Sequence, residues 1–221
     1  ANSVARWGGA AWLPLGTGLD GPVFALLEFD FDGPGPLAPR LIAAGSFFEA
    51  GGIPANSIAQ WEGTSWSPLG EGLDNDVLAL GIFDPDGPGP ALPQLIASGR
   101  FTSSGITPID RVARWDGVSW QPFASGTNGP ALALPSFDAD GPLGPSTPKL
   151  CVGGEFTQAG NQVSAYFAQW GNDTALWKSA ASGTYGSSAN WLCNLAPTRF
   201  DRLFIDAAQA GYAPGASFQV S

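Results

Sequence analysis

Apolar residues in this chain come in short runs, either alternating with polar ones or clustered, and each run is bounded by Gly, Pro, Asn or Asp. A period of two bounded by turn residues predicts strands, and no segment holds a helical period over a useful length. Residues 3–7 (SVARW) predict a first strand and residues 11–15 (AWLPL) a second across a tight turn. Residues 23–29 (VFALLEF) predict a third strand, and 40–47 (RLIAAGSF) a fourth after a long loop. The third strand and its counterpart 77–83 (VLALGIF) are apolar on both faces. Such a strand is expected to be covered by a sheet on each side, so the units should stack face to face.

The run of four strands then repeats. Trp7, Trp61 and Trp115 recur every 54 residues, Trp12, Trp66 and Trp120 run in parallel, and Trp170 follows Trp115 by 55. Self-similarity at this period marks a repeat architecture. The copies divide as 1–55, 56–109 and 110–164, with a degenerate copy and β-rich C-terminal segment over 165–221, all in one structural domain. The expected fold is all-β: a β-propeller-like array of four-stranded antiparallel repeats, three clear and one degenerate. Trp7, Trp61, Trp115 and Trp170, with Phe47, Phe101 and Phe156, are the expected repeat core.

Composition narrows the partners. Gly 31 and Pro 20 recur in register, as punctuation between strands rather than as low complexity. A net charge of −10 repels phosphate backbones and anionic lipid surfaces, so no nucleic-acid partner is expected. No apolar stretch is long enough for a membrane-spanning helix, and no membrane insertion is expected. The first residue is Ala and there is no Met, which reads as a mature, secreted product. Cys151 and Cys193 are a candidate disulfide of an oxidising exterior, against the alternative of two buried thiols.

Catalysis has little to work with. There is no His, which removes Ser-His-Asp and Cys-His pairs and the usual zinc sites. The carboxylates that remain come in pairs: Asp30 with Asp32, Asp84 with Asp86, and Asp138 with Asp140. A catalytic pair needs two different environments in one asymmetric site, whereas a motif copied three times is architectural. The chain therefore reads as no enzyme, with no required cofactor. Each pair lies in F-D-x-D-G-P between the third and fourth strands, and D-x-D-G echoes the start of a calcium loop without its downstream bidentate Glu. Two readings stay open there: a calcium site, and a rigid turn in which Asp accepts backbone N–H bonds. Trp12, Trp66 and Trp120 likewise admit two readings, stacking on the sugar rings of a glycan or packing between repeats.

Gly45, Gly99 and Gly154 close the fourth strand and are followed 16 residues later by Trp61, Trp115 and Trp170. This order resembles that of kelch-type repeats, although only Tyr166 supplies the tyrosine those carry ahead of the tryptophan. The W-x-G-x-x-W, F-D-x-D-G-P and G-x-F-x-x-x-G elements, covering residues 1 to about 170, are similar to tandem repeats of secreted bacterial surface proteins. The resemblance implies a propeller-like, extracellular, cell-surface protein. The segment beyond resembles the opening of a β-solenoid-like stretch.

Three clear copies are few for a closed propeller, and an open array leaves unpaired edges. The expectation is a subunit of an extracellular assembly or filament, joined head to tail to other copies of itself. The terminal strands would carry the joint: Ser3, Val4, Ala5, Arg6 and Trp7 at one end, Ser217, Phe218, Gln219 and Val220 at the other. The alternatives are a lectin-like carbohydrate-binding propeller and an adhesion module of a larger surface protein.

Overall fold

The structure, a computed structural model, describes residues 2–86, 90–138, 147–160, 162–171, 174–176 and 202–204, the last two segments as backbone strands. Every regular element among them is a strand, and no helix is long and apolar enough to cross a membrane.

The first copy contributes β1 (Ala5–Trp7), β2 (Trp12–Pro14), β3 (Val23–Phe29), β4 (Arg40–Gly45), β5 (Glu49–Ala50) and β6 (Ile53–Pro54). The second repeats this order as β7 (Ile58–Trp61), β8 (Trp66–Pro68), β9 (Val77–Phe83), β10 (Gln94–Gly99), β11 (Ser103–Ser104) and β12 (Thr107–Pro108). In the third, β13 (Val112–Trp115) and β14 (Trp120–Pro122) are followed by β15 (Ala131–Ala133) and β16 (Ser136–Phe137). Then come β17 (Lys149–Gly154), β18 (Gln158–Ala159) and β19 (Gln162–Val163), and beyond them β20 (Phe167–Trp170), β21 (Thr174–Leu176) and β22 (Arg202–Phe204).

The chain forms two compact units: residues 1–84, 90–137 and 150–170 in the first, and 85–89, 138–149 and 171–221 in the second. In the second unit, β21 and β22 form a parallel pair. The first unit holds the repeat sheets.

Its sheets straddle the boundaries between sequence copies. The order β3-β4-β7-β8 joins the last two long strands of copy one to the first hairpin of copy two, and β9-β10-β13-β14 does the same one copy on. In the third sheet β17 pairs with β15, β16 and β20. Here the third strand is split into β15 and β16 around Pro135, which has no N–H to give to the ladder. The hairpin β1–β2 pairs only with itself among the described residues.

The expectation for the third strand holds in copy two, where β9 packs against β3 on one face and β15 on the other and has no exposed position, and is corrected in copy one. β3 is an edge strand and alternates between covered and open positions, with Phe24 and Leu26 exposed. The fourth strand, in the middle of each sheet, is the more deeply buried on both faces. Ile42 and Ala44 of β4 enter the cluster shared with Leu95 and Ala97, while Ala43 enters the one shared with Val4, Leu15 and Leu19. Likewise Ile96 of β10 turns the other way, into the cluster with Leu150 and Val152. Successive sheets are therefore cemented by apolar layers, the main source of stability in such an array.

Two local devices recur in register. The glycine closing the fourth strand lies against the start of the third strand, where a Cβ on Gly45, Gly99 or Gly154 would fall 2.0, 2.1 or 2.3 Å from the carbonyl oxygen of Pro22, Asp76 or Pro130. Only Gly fits that approach. The second device is a latch. Asp20 Oδ1 accepts from the N–H groups of Phe48 and Glu49, Asp74 Oδ1 from Thr102 and Ser103, and Asn128 Oδ1 from Thr157 and Gln158. Each pins the small hairpin, β5–β6, β11–β12 or β18–β19, that sequence periodicity did not foresee.

Candidate functional site

The W-x-G-x-x-W motif builds a hairpin in which the two tryptophans are cross-strand partners. Trp7 pairs with Trp12, Trp61 with Trp66 and Trp115 with Trp120, with ring centroids 5.5, 5.4 and 5.4 Å apart. Edge and tilted arrangements of this kind suit the aromatic quadrupole.

Each pair in copies two and three is seated on the P-L-G turn of the copy before it. The indole N–H of Trp66 donates to the Leu15 carbonyl at 2.9 Å, and that of Trp120 to the Leu69 carbonyl at 3.0 Å. Gly16 and Gly70 complete the seats, since a Cβ there would lie 3.2 Å from the Trp61 ring and 2.9 Å from the Trp115 ring. Both glycines also have positive φ, +57° and +66°, which favours Gly on its own account. In the third copy the turn carries Phe123, whose ring stands edge-on to Trp170 at 5.9 Å. In the sequence, Ala175 stands where earlier copies have the second tryptophan.

The seats decide between the two readings of the tryptophans. Trp66 is 2% and Trp120 1% exposed, and with their N–H groups spent on carbonyls they offer no face to a sugar ring. The carbohydrate reading of those two positions is thereby corrected. In these pairs Trp61 and Trp115 are half-buried, as is Trp170, while Phe47, Phe101 and Phe156 are buried.

Copy one differs. Trp12 is 68% and Trp7 56% exposed, against fully buried Trp66 and half-buried Trp61 at the same places one copy on. In the same copy Phe24 and Leu26 are 49% and 52% exposed, whereas their counterparts Leu78 and Leu80 are half-buried. Of the expected assembly residues, Val4 is buried, Ser3 precedes the hairpin with φ +62°, and Ala5, Arg6 and Trp7 form β1. Ser217, Phe218, Gln219 and Val220 lie outside the described residues, as do Asp140 and Cys193.

In the first F-D-x-D-G-P loop the carboxylates hold the backbone. Asp30 Oδ1 accepts from the N–H groups of Asp32 and Gly33 at 3.2 and 3.1 Å, and Asp32 Oδ2 accepts from Leu37 N–H at 3.1 Å. Asp32 Oδ1 is buried without a hydrogen bond. Asp84, Asp86 and Asp138 take the equivalent places in later copies. Among the described residues no group of three or more His, Cys, Asp or Glu is placed to hold a metal ion. Cys151 is buried, and its sulfur takes a weak hydrogen bond from Gln169 Nε2 at 3.5 Å.

Two surface hollows lie among the described residues. One of about 430 Å³ lies beside Trp61 and is flanked by Glu28 and by Arg40, whose guanidinium pairs with Glu62 at 3.3 Å and bonds Gln60 at 3.1 Å. The other, about 520 Å³, is bordered by Asn56, Glu71, Asp74 and Ser103. Burial pulls the Asp74 carboxyl upward, but hydrogen bonds from Ser103 and Thr102 outweigh it and hold the group below the ordinary Asp value. Neither hollow joins a nucleophile to a base. The open apolar face of copy one is therefore the best candidate for a functional surface, and the chain matches no family model, no curated protein and no solved structure.

Proposed function

We propose that this is a non-enzymatic, extracellular structural protein, a propeller-like repeat array that assembles with other copies of itself through the open face of its first repeat. One observation carries the reading: the tryptophan that is buried at 2% and 1% in copies two and three is 68% exposed in copy one. A tryptophan whose counterparts are buried between copies stands open here, and exposed apolar surface on a folded protein marks an interaction site. The absence of His and the threefold copying of the carboxylate pairs support a non-catalytic role. The low charge content, 13%, and the two lysines suit a surface made for packing.

Sedimentation velocity over a range of protein concentrations tests it. The chain should associate as concentration rises, and the double substitution Trp12→Ser with Leu26→Ser should abolish association while leaving the fold intact, because both side chains are exposed. A chain that stays monomeric throughout would overturn the reading.

A further inference from the structure

We infer that Gly81 and the break in the third strand at Pro135 form a matched pair that lets the third sheet stack on the second and not on the first, so that repeats of similar sequence are not interchangeable. The inference does not depend on the assembly reading above.

The three copies carry Leu27, Gly81 and Pro135 at the same place in the third strand. Leu27 stands opposite Ile42 of β4, and Gly81 opposite Ile96 of β10. Cross-strand partners share a face. Ile42 belongs to the apolar layer between the first and second sheets and Ile96 to the layer between the second and third, so each of these positions faces the sheet that follows. Leu27 meets that sheet with a side chain, packed like Leu80 and Ile82 against the first layer. At Gly81 the space is filled by backbone instead: a Cβ there would lie 2.5 Å from the carbonyl oxygen of Leu134 and 2.9 Å from its Cβ.

Leu134 comes that close because its strand is interrupted. β15 stops at Ala133 and β16 begins at Ser136, with a register shift between Ala131 and Ala133. Pro135 has no N–H for the ladder, but its carbonyl accepts from Cys151 N–H at 2.9 Å and so ties the break to β17. Leu134 is buried there with Phe83, Ile96 and Leu150. Gly81 itself is buried in the interior of β9, and its φ lies outside the left-handed region. Glycine is therefore required by space and not by backbone conformation. A glycine inside a strand weakens it, and the close approach of another backbone is the physical reason to keep one.

The two junctions are thus built differently. An unbroken third strand such as β9 needs a leucine-sized side chain facing it, and the broken one needs none. Setting the broken strand against Leu27 would drive backbone into a side chain, whereas setting an unbroken strand against Gly81 would leave a cavity. Tandem repeats are prone to exchange between chains and to wrong assembly during folding. A contact that penalises both wrong pairings selects against them.

Exchanging one strand within the full chain tests this. Residues 131–137 (ALALPSF) are replaced by the sequence of residues 77–83 (VLALGIF), which makes the third strand of the third sheet unbroken. Gly81→Leu should lower the midpoint of urea denaturation in the natural chain and raise it in the replaced chain, while Leu27→Gly lowers it in both. The same sign for Gly81→Leu in both backgrounds overturns the inference. A replaced chain that folds only when it also carries Gly81→Leu supports it. A second measurement needs no replaced strand and decides alone where the replaced chain does not fold. In the natural chain carrying Gly81→Ala, hydrogen exchange should quicken over residues 131–137 and 149–154 and stay unchanged over 23–29 and 40–45. Unchanged exchange over 131–137 overturns the inference.

Discussion

The hairpin around Trp12 and the hairpin around Trp120 share a motif, a register and a ring geometry, yet one displays its indole and the other hides it almost completely. Nothing within either hairpin makes the difference. It comes from the copy that precedes it, whose P-L-G turn gives Trp120 a carbonyl and an apolar seat. In a stacked array the fate of a side chain is set by its neighbour, as a nearest-neighbour account of repeat stability requires. Contacts between copies should therefore cost unequal amounts to break along the chain, and contacts internal to a sheet should cost the same in every copy.

The largest test of that division is truncation of the tryptophans. Trp120→Ala empties a buried site and strands the Leu69 carbonyl, and is expected to cost about 3–5 kcal/mol by urea denaturation. Trp12→Ala removes an exposed ring and should cost under about 1 kcal/mol. Equal losses would show that the two hairpins are in the same environment.

The second test probes the opposite class. Gly99→Ala would drive a methyl group to 2.1 Å from the backbone oxygen of Asp76. Backbone cannot swing aside as a side chain would, so a loss of about 2–3 kcal/mol is expected. Gly45→Ala, whose Cβ would lie 2.0 Å from the Pro22 oxygen, should cost the same. A much smaller effect at Gly45 would mean that the first sheet is looser throughout, and that exposure of Trp12 reflects fraying rather than a missing neighbour.

The latch comes next. Asp74→Ala forfeits the hydrogen bonds from Thr102 and Ser103 and should cost about 1–2 kcal/mol. Asp74→Asn keeps the acceptor, as Asn128 shows in the third copy, and should be nearly neutral at pH 7. Acid separates them further. The folded Asp74 carboxyl lies below its ordinary value, so its contribution is complete above about pH 4 and drains away as the pH falls through the lowered folded value. Stability of Asp74→Asn should therefore fall less on acidification than that of the natural chain; a parallel acid profile would discount the latch.

The strand class, the 54-residue period and the turn residues were legible because each is a short-range pattern that three copies reinforce. The phase of the sheets was not. Periodicity shows that residues 40–47 form a strand but says nothing of its partner, which turned out to be β7 of the next copy. Trp7 and Trp12 are equivalent as sequence, so which member of each pair is buried could be known only once the seat at the preceding leucine was located. The two-residue strands β5 and β6 are too short to show a period. Asp20, latched to residues 28 and 29 positions away, carried one usable signal: it stands in register with Asp74 and Asn128, a polar side chain repeated beside a buried leucine or threonine.

The smallest effect is expected where the backbone itself repeats. Ser3, Ser57, Arg111 and Tyr166, each just ahead of a first strand, have φ of 62°, 68°, 62° and 67°. Three of them give their carbonyl to the glycine closing the previous fourth strand: Gly45 to Ser57, Gly99 to Arg111 and Gly154 to Tyr166, at 3.0, 3.1 and 3.1 Å. Ser3 holds the same φ without such a glycine among the described residues, so the conformation belongs to the local chain and not to the preceding copy. Arg111→Gly relieves the left-handed strain but frees the unfolded chain and gives up the 3.3 Å bond from the guanidinium to the Thr127 carbonyl. These terms oppose one another, and the net change should stay within about 0.5 kcal/mol. Arg111→Val keeps the strain and adds branching at Cβ, and should cost about 1–2 kcal/mol. Applied at Ser3, the Gly and Val substitutions should fall in the same order. A reversal at Ser3 alone would show that the preceding repeat, when present, is what holds this turn.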